Sequence, residues 1–251
     1  MTIAVIPARY ASSRLEGKPL ALISGKSMIQ RVYEQAQKSR AVSQTIVATD
    51  DERIITAVQA FGGKAVMTSD DCRSGTDRVA QTANILGLGP DEIIVNIQGD
   101  QPIFNPLTID ELIQPFAVNK DLAMSTLAFK IQDEREIIDP KDVKVTFDNN
   151  GFALYFSRAQ IPFPRDKDTH VDYYKHLGFY AYTKQFLDKL VTLPTGVCEQ
   201  VEKLEQLRVL EFGYKIKVVI TEYDSPEIDL PEDIQRIETK IGIEEKLSFK
   251  I

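Results

Sequence analysis

Residues Ile3 to Leu20 read IAVIPARYASSRLEGKPL. The first six are a continuous apolar run with β-branched residues, which predicts a buried parallel strand from Ile3 to Ala8. Directly behind it stand Arg9, Arg14 and Lys18, with one glycine, Gly17. Ligands of open α/β sheets bind beyond the carboxyl ends of the strands. Two bidentate guanidinium groups and one ammonium at such an end suit a polyphosphate. A solvated loop is the other reading, and spacing alone leaves the two open. A P-loop is excluded, because it needs Gly at Ser12 and Ser or Thr at Pro19. GxGxxG is absent as well.

Outward from this strand the chain alternates. SMIQRVYEQAQKS predicts a helix with Met28, Val32 and Ala36 on one face and Ser27 as N-cap. QTIVATD predicts a strand, and DERIITAVQAFGG a helix stopping on Gly62. KAVMTS is a short strand, GTDRVAQTANILG a helix ending on Gly87, and EIIVNIQGD another strand. This rhythm implies an α/β fold with parallel strands and helices on both faces. Further on, LAMSTLAFKI and DVKVTFDNNGFALYFSRA predict antiparallel strands turning at Asn149-Asn150-Gly151. CEQVEKLEQLRVLEFG predicts one helix ending on Gly213, KIKVVITEY a strand, and LPEDIQRIETKIG a last helix. Without repeats or a linker, one domain over 1–251 is expected, with an antiparallel excursion at about 131–185 serving as a substrate lobe or dimer arm.

The 251 residues carry 30 Lys+Arg against 37 Asp+Glu, a net charge of −7. That balance speaks against general nucleic-acid binding, which wants a basic face. No apolar stretch approaches the roughly 18 residues of a membrane span. The opening MTIAVIPARYA lacks the pattern of a secretory leader. Cys72 and Cys198 are the only cysteines and His170 and His176 the only histidines, which disfavours a disulfide framework or a zinc site. The expected compartment is the cytoplasm.

Further motifs carry chemistry. In NIQGDQP, Asp100 ends an apolar strand and can reach a hard cation riding on phosphates; a plain turn Asp is the bland reading. In EIDLPED, Asp229 precedes Leu-Pro at a helix start, where simple capping is the stronger expectation. Both residues follow strands, so both are candidates for one Mg²⁺. RSGTDR, from Arg73 to Arg78, opens a helix whose free N–H groups attract anions, with a cap by Ser74 or Thr76 as the alternative. In YYKHLGFYAY, Tyr180 and Tyr182 alternate onto one face, and His176 is a hydrogen-bonding or structural histidine. In EKLEQLRVLEF, Leu204, Leu207 and Leu210 form a core stripe, with Glu205 and Gln206 off it. Nothing indicates a covalent nucleophile.

Together and in this order, IPARYASSRLEGKPL, VATDDERI, VMTSDDCRSGTDR, VNIQGDQP, ALYFSRAQIPFPRD, HLGFYAY and EKLEQLRVLEFG resemble the 3-deoxy-manno-octulosonate (Kdo) cytidylyltransferases. The resemblance implies a nucleotide-diphospho-sugar-transferase-like, Rossmann-like mixed sheet and a homodimer. It implies the reaction of CTP with Kdo, an acidic eight-carbon sugar, to give CMP-Kdo and diphosphate with Mg²⁺, in lipopolysaccharide synthesis. By similarity, Ala8, Arg9, Arg14, Lys18, Arg73, Ser74, Gly75 and Asp100 would bind CTP, and Asp100 and Asp229 the metal, with Lys18, Asp100 and Asp229 catalytic. Gln98, Arg158, Arg165, His176, Tyr180, Glu205 and Gln206 would line the sugar site. The sequence departs from the family pattern at Glu16, Gln101 and Leu230, where Pro, Glu and Thr are usual. These departures admit a modified acceptor such as 8-amino-Kdo. The rival readings are a cytidylyltransferase for a sialic-acid-type sugar and a non-catalytic nucleotide-binding regulator.

Overall fold

The computed structural model describes the chain except residues 12–14, 167 and 249–251, and of 243–248 the backbone alone. Arg14 therefore lies outside the described residues.

In chain order the elements are β1 (Thr2–Ala8), a 3-10 turn (Lys18–Leu20), β2 (Leu22–Ile23), β3 (Lys26–Ser27), α1 (Met28–Ala36), β4 (Gln44–Thr49), α2 (Glu52–Ala60), β5 (Ala65–Met67), α3 (Gly75–Ile85) and β6 (Ile93–Asn96). Then follow α4 (Leu107–Val118), β7 (Met124–Lys130), α5 (Glu134–Ile138), β8 (Lys144–Phe147), β9 (Ala153–Ser157), β10 (Tyr174–Thr183), α6 (Lys184–Thr192), α7 (Val197–Glu202), α8 (Gln206–Glu211), β11 (Lys217–Thr221) and α9 (Pro231–Ser248). The fold is mixed α/β. The chain forms two compact units, one of Met1–Leu88, Ile94–Asp110 and Ser225–Ile251, the other of Gly89–Ile93 and Glu111–Asp224. The expected excursion at 131–185 falls within the second.

In the first unit the strand order is β6-β1-β4-β5, with β1 parallel to β4 and β4 parallel to β5. Residues Ile3 to Ile6 of β1 are completely or almost completely buried, as a strand covered on both faces requires. Ser27 caps α1 by accepting from the Gln30 N–H, and Met28, Ile29, Val32 and Ala36 form its buried face. The last helix is held by apolar packing: Ile237 and Ile241 of α9 join Ile23, Met28 and Ile228 in one cluster. Burying an Ile side chain contributes roughly 1.5–3 kcal/mol, so this cluster fixes the segment just ahead of α9.

In the second unit β7 runs antiparallel to β10 and parallel to β11, and β8 and β9 form the antiparallel hairpin turned at Gly151. β10 is irregular. His176 pairs with Ala128 and Tyr180 with Thr126, so four residues of β10 run against two of β7. Gly178, in the middle, has a φ of 72°.

The single helix expected from CEQVEKLEQLRVLEFG is two short ones, α7 and α8. Lys203 between them is left-handed, with φ 57°. Tertiary bonds override the helical pattern. The Glu211 carboxylate accepts from the Cys198 and Glu199 N–H groups at 2.8 and 3.1 Å, and the Arg208 guanidinium clasps Glu199 in an ion pair.

Candidate active site

In the first unit the polar side chains gather where β1 and β6 end. Gly17 turns the chain in the left-handed region, with φ 66°, and a Cβ there would stand 3.2 Å from the Tyr10 ring. A side chain there would be strained by the φ and crowded by the ring, which favours glycine. Its N–H donates to the Tyr10 carbonyl at 3.0 Å, which closes the loop and sets Lys18 at the start of the 3-10 turn. Gly99 lets the end of β6 approach β1, since a Cβ there would meet the Pro7 carbonyl at 3.0 Å.

These turns bring Lys18 to two carboxylates. Its Nζ donates to Asp100 Oδ2 at 2.8 Å and to Asp229 Oδ1 at 3.2 Å. Burial pulls the ammonium pKa down, but the charges and hydrogen bonds of Asp100 and Asp229 outweigh it and leave it raised. Asp229 is thus not only a residue at a helix start. Ile228, fully buried, packs it against the first unit, and its N–H donates to the Asp100 carbonyl at 3.0 Å. The Asp229 and Leu230 N–H groups donate to the Asp233 carboxylate at 2.9 and 3.0 Å.

The two carboxylates already converge on one cation, the Lys18 ammonium, so the pair fits a hard divalent ion. Among the described residues there is no group of three acid, His or Cys side chains arranged to hold a metal. The remaining ligands would come from phosphate oxygens and water, the usual pattern for Mg²⁺ at nucleotide sites.

The other nucleotide candidates surround this centre unevenly. Ala8 is buried at the end of β1, and the exposed Arg9 donates to the Cys72 carbonyl, tying the loop to the segment ahead of α3. Ser74 is the N-cap of α3, accepting from the Asp77 N–H at 3.2 Å, and Gly75 is the first helical residue. The capping reading is therefore realised, and it leaves a helix N-terminus beside Arg73. Arg73 is exposed and pairs loosely with Asp77 at 3.3 Å. Arg78 is fully buried and binds Asp50 and Thr68, joining the ends of β4 and β5 to α3.

Two of the three departures from the family pattern have charged or polar neighbours. Glu16 is exposed and lies within electrostatic reach of Arg53, whose guanidinium stacks 3.3 Å over the Tyr10 ring and pairs with Asp51. Gln101 is completely buried and donates to the Glu227 carboxylate at 3.1 Å. The protein packed around that carboxyl and the like charge of Asp100 push its pKa up, although the residue as a whole is open to solvent. Leu230 is exposed. Sequence reading missed Glu227 as a site residue; its position two residues before Asp229 is the signal that finds it.

In the second unit His176, Tyr180 and Gln206 come together. In a regular strand, residues four apart lie about 13 Å from one another. The irregular stretch of β10 brings the His176 and Tyr180 rings to 5.3 Å between centroids. Bulges re-aim side chains in this way beside functional sites. The Thr126 hydroxyl donates to the Phe179 carbonyl at 2.7 Å, so its 2.8 Å contact with His176 has Nε2–H as donor. That assigns the tautomer and leaves Nδ1 as an acceptor. The ring has some surface at solvent, but its polar environment is poor: Phe156 lies 5.0 Å away, and burial holds the pKa down at about 3. The Tyr180 hydroxyl donates to Gln206 Oε1 at 3.0 Å, which orients the Gln206 amide with its NH₂ as donor. Gln206, expected off the core stripe, is buried. Tyr180 and Tyr182 stack at 6.0 Å on one face, as the alternation predicts.

The remaining sugar candidates are less gathered. The Arg158 guanidinium donates to the backbone carbonyls of Glu202 and Pro140 at 2.8 and 2.9 Å, and so keeps its charge available for an anion. Arg165 and Glu205 are exposed, Glu205 at the N-terminus of α8. Gln98 is half-buried after β6, in the first unit.

The family model of the cytidylyltransferases matches residues 3–216. The chain belongs to the cytidylyltransferase family. It is 60% identical over 239 residues to a 3-deoxy-manno-octulosonate cytidylyltransferase of Desulfosudis oleivorans, covering 95% of this chain and 96% of the relative. It is 52% identical over 241 residues to an 8-amino-3,8-dideoxy-manno-octulosonate cytidylyltransferase of Shewanella frigidimarina, covering 96% and 98%. A solved structure of CMP:2-keto-3-deoxy-manno-octonic acid synthetase complexed with CTP superposes with a TM-score of 0.91 at 42% identity, over 97% of this chain and 99% of that one. Among the described residues of this cytidylyltransferase, no helix is long and apolar enough to cross a membrane.

Proposed function

We propose that this cytidylyltransferase transfers the cytidylyl group of CTP to the anomeric hydroxyl of Kdo or its 8-amino analogue, releasing diphosphate. The observation that carries the reading is Lys18 bridging Asp100 and Asp229, a centre with both signs of charge as a metal–triphosphate requires. The names of the relatives support the two acceptors alike.

The chemistry needs no protein nucleophile. The sugar hydroxyl attacks the α-phosphorus in line, that oxygen gives its proton to solvent, and the bond to diphosphate breaks with the electron pair leaving on the diphosphate oxygen. Asp100 and Asp229 would hold Mg²⁺, which when bound supplies charge neutralisation at the α-phosphate and lowers the pKa of the attacking hydroxyl. Lys18, with Arg9 and Arg14, would turn to the triphosphate and stabilise the departing diphosphate. The α3 N-terminus at Ser74 and Gly75, beside Arg73, would meet the cytosine side. For the sugar, neutral His176 accepts from a hydroxyl at Nδ1, Gln206 donates from its amide, and Arg158 or Arg165 neutralises the carboxylate, with Tyr180 and Glu205 completing the set.

A homodimer accords with the large apolar side chains exposed in the second unit, among them Ile138 at 75%, Leu154 at 62% and Phe163 at 80%, all within 131–185. The cytoplasm is the compartment, and lipopolysaccharide synthesis the use of the product.

Diphosphate release from CTP and Mg²⁺ with Kdo, 8-amino-Kdo and a sialic acid tests the reading. Turnover with an eight-carbon acid and none with the sialic acid is expected. Preference for the sialic acid, or CTP binding with no turnover on any acid, contradicts it.

A further inference from the structure

Three hydrogen bonds are among those that join the two acid-bearing segments. The Ile228 N–H donates to the Asp100 carbonyl at 3.0 Å, Gln101 Nε2 donates to Glu227 Oε1 at 3.1 Å, and the Ser225 hydroxyl donates to Gln101 Oε1 at 3.1 Å. Gln101 makes two of the three from a completely buried side chain. It sits next to Asp100, and its partner Glu227 sits two residues from Asp229. One side-chain amide therefore spans the gap between the β6 end and the segment leading into α9.

We propose that Gln101 is a positioning residue that holds Asp100 and Asp229 at the spacing a divalent cation needs. This rests on the reading of those two residues as metal ligands. The need for such a brace follows from charge. Lys18 stands between the two carboxylates and draws them together. When Lys18 turns to phosphate, the carboxylates repel one another, and their separation depends on how the two segments are fastened. Ile228 is fastened by the packing of its side chain and by its N–H. Gln101 adds a side-chain bond to Glu227, two residues from Asp229. An amide suits the place because it donates to Glu227 and accepts from Ser225 at once. A glutamate at 101 would offer two acceptors and set a second carboxylate against Glu227.

The readout is the affinity for CTP without acceptor, by calorimetry, in excess EDTA and in excess MgCl₂. The ratio of the two dissociation constants reports what the carboxylates contribute through the metal. In the wild type Mg²⁺ is expected to tighten CTP binding, and no tightening would overturn the ligand assignment. Gln101→Leu is expected to lose about ten-fold of that tightening, with its EDTA value within about two-fold of wild type. Ser225→Ala removes the hydroxyl that donates to Gln101 and is expected to lose about three-fold, which keeps the test if Gln101→Leu folds poorly by circular dichroism. Asp100→Asn loses the tightening, and adding Gln101→Leu to it changes little more, as expected for residues that act as one unit. Folded Gln101→Leu or Ser225→Ala with wild-type tightening, beside an Asp100→Asn that has lost it, overturns the role of Gln101. Tightening retained in Asp100→Asn overturns the ligand assignment itself, and the brace with it.

Discussion

Asp100 Oδ2 lies 2.8 Å from Lys18 Nζ, and the Gly17 turn of the first loop is what delivers that ammonium to the end of β6. Replacing Lys18 by Ala removes a cation from the triphosphate and takes the ammonium away from both carboxylates. Steady-state kinetics should show the CTP KM up ten-fold or more and a lower kcat, with the sugar KM nearly unchanged. Equal effects on both substrates would move Lys18 out of the phosphate site.

Asp100→Asn and Asp229→Asn should each lower kcat by about 10²–10³ at saturating Mg²⁺, the scale of removing one preorganised charge from a phosphoryl-transfer centre. Thermal melting should stay close to wild type, because both side chains are about 30% exposed. A near-normal rate in either variant would contradict the metal assignment.

Tyr180→Phe deletes the hydroxyl that orients Gln206. A net hydrogen bond is about 1 kcal/mol, or roughly five-fold in an equilibrium constant. The sugar KM should rise about five- to ten-fold while the CTP KM holds. An unchanged sugar KM would show that the Gln206 amide does not need Tyr180.

Much of this was legible in the sequence, and the failures have physical causes. The apolar run of β1, the Ser27 cap and the Asn-Asn-Gly turn are local signals, and each element formed where they pointed. The break at Lys203 was not legible, because it is fixed by Arg208–Glu199 and Glu211 contacts that no helical periodicity encodes. Helices α4, with Pro115 inside it, and α6 were missed. Interior proline argues against a helix by propensity, and tertiary context overrode it. The His176–Tyr180 approach depends on the mismatch of β10 with β7, a property of pairing with only Gly178 as a hint. Asp100 and Asp229 were visible as residues following strands. The bridge through Gln101 and Glu227 was not, since it joins segments far apart in the chain.

His176 predicts an acid-sensitive second unit. The unfolded imidazole titrates near 6.5 and the folded one near 3, because burial disfavours its charged form. Between those values the unfolded chain binds the extra proton. The stabilisation is therefore full above pH 6.5 and is lost as pH falls toward 3, by on the order of 3–5 kcal/mol. Urea unfolding at several pH values, compared with His176→Gln, should show a shallower acid loss in the variant. Parallel curves would refute the role of this histidine.

Ile228→Ala opens a cavity in the cluster with Ile23, Met28, Ile237 and Ile241. The cost should be about 2–5 kcal/mol, read from denaturant midpoints. Because Ile228 sits between Glu227 and Asp229, the half-saturating Mg²⁺ concentration should rise as well. Stability loss with unchanged metal dependence would separate the core from the site.

Formation of the CMP-sugar itself, followed by chromatography with CTP, Kdo and Mg²⁺, tests the central claim most directly. The account predicts steady CMP-Kdo production by the wild type and almost none by the Asp100→Asn, Asp229→Asn double variant, folded alike. No CMP-Kdo from the wild type, or an undiminished yield from the double variant, would contradict it.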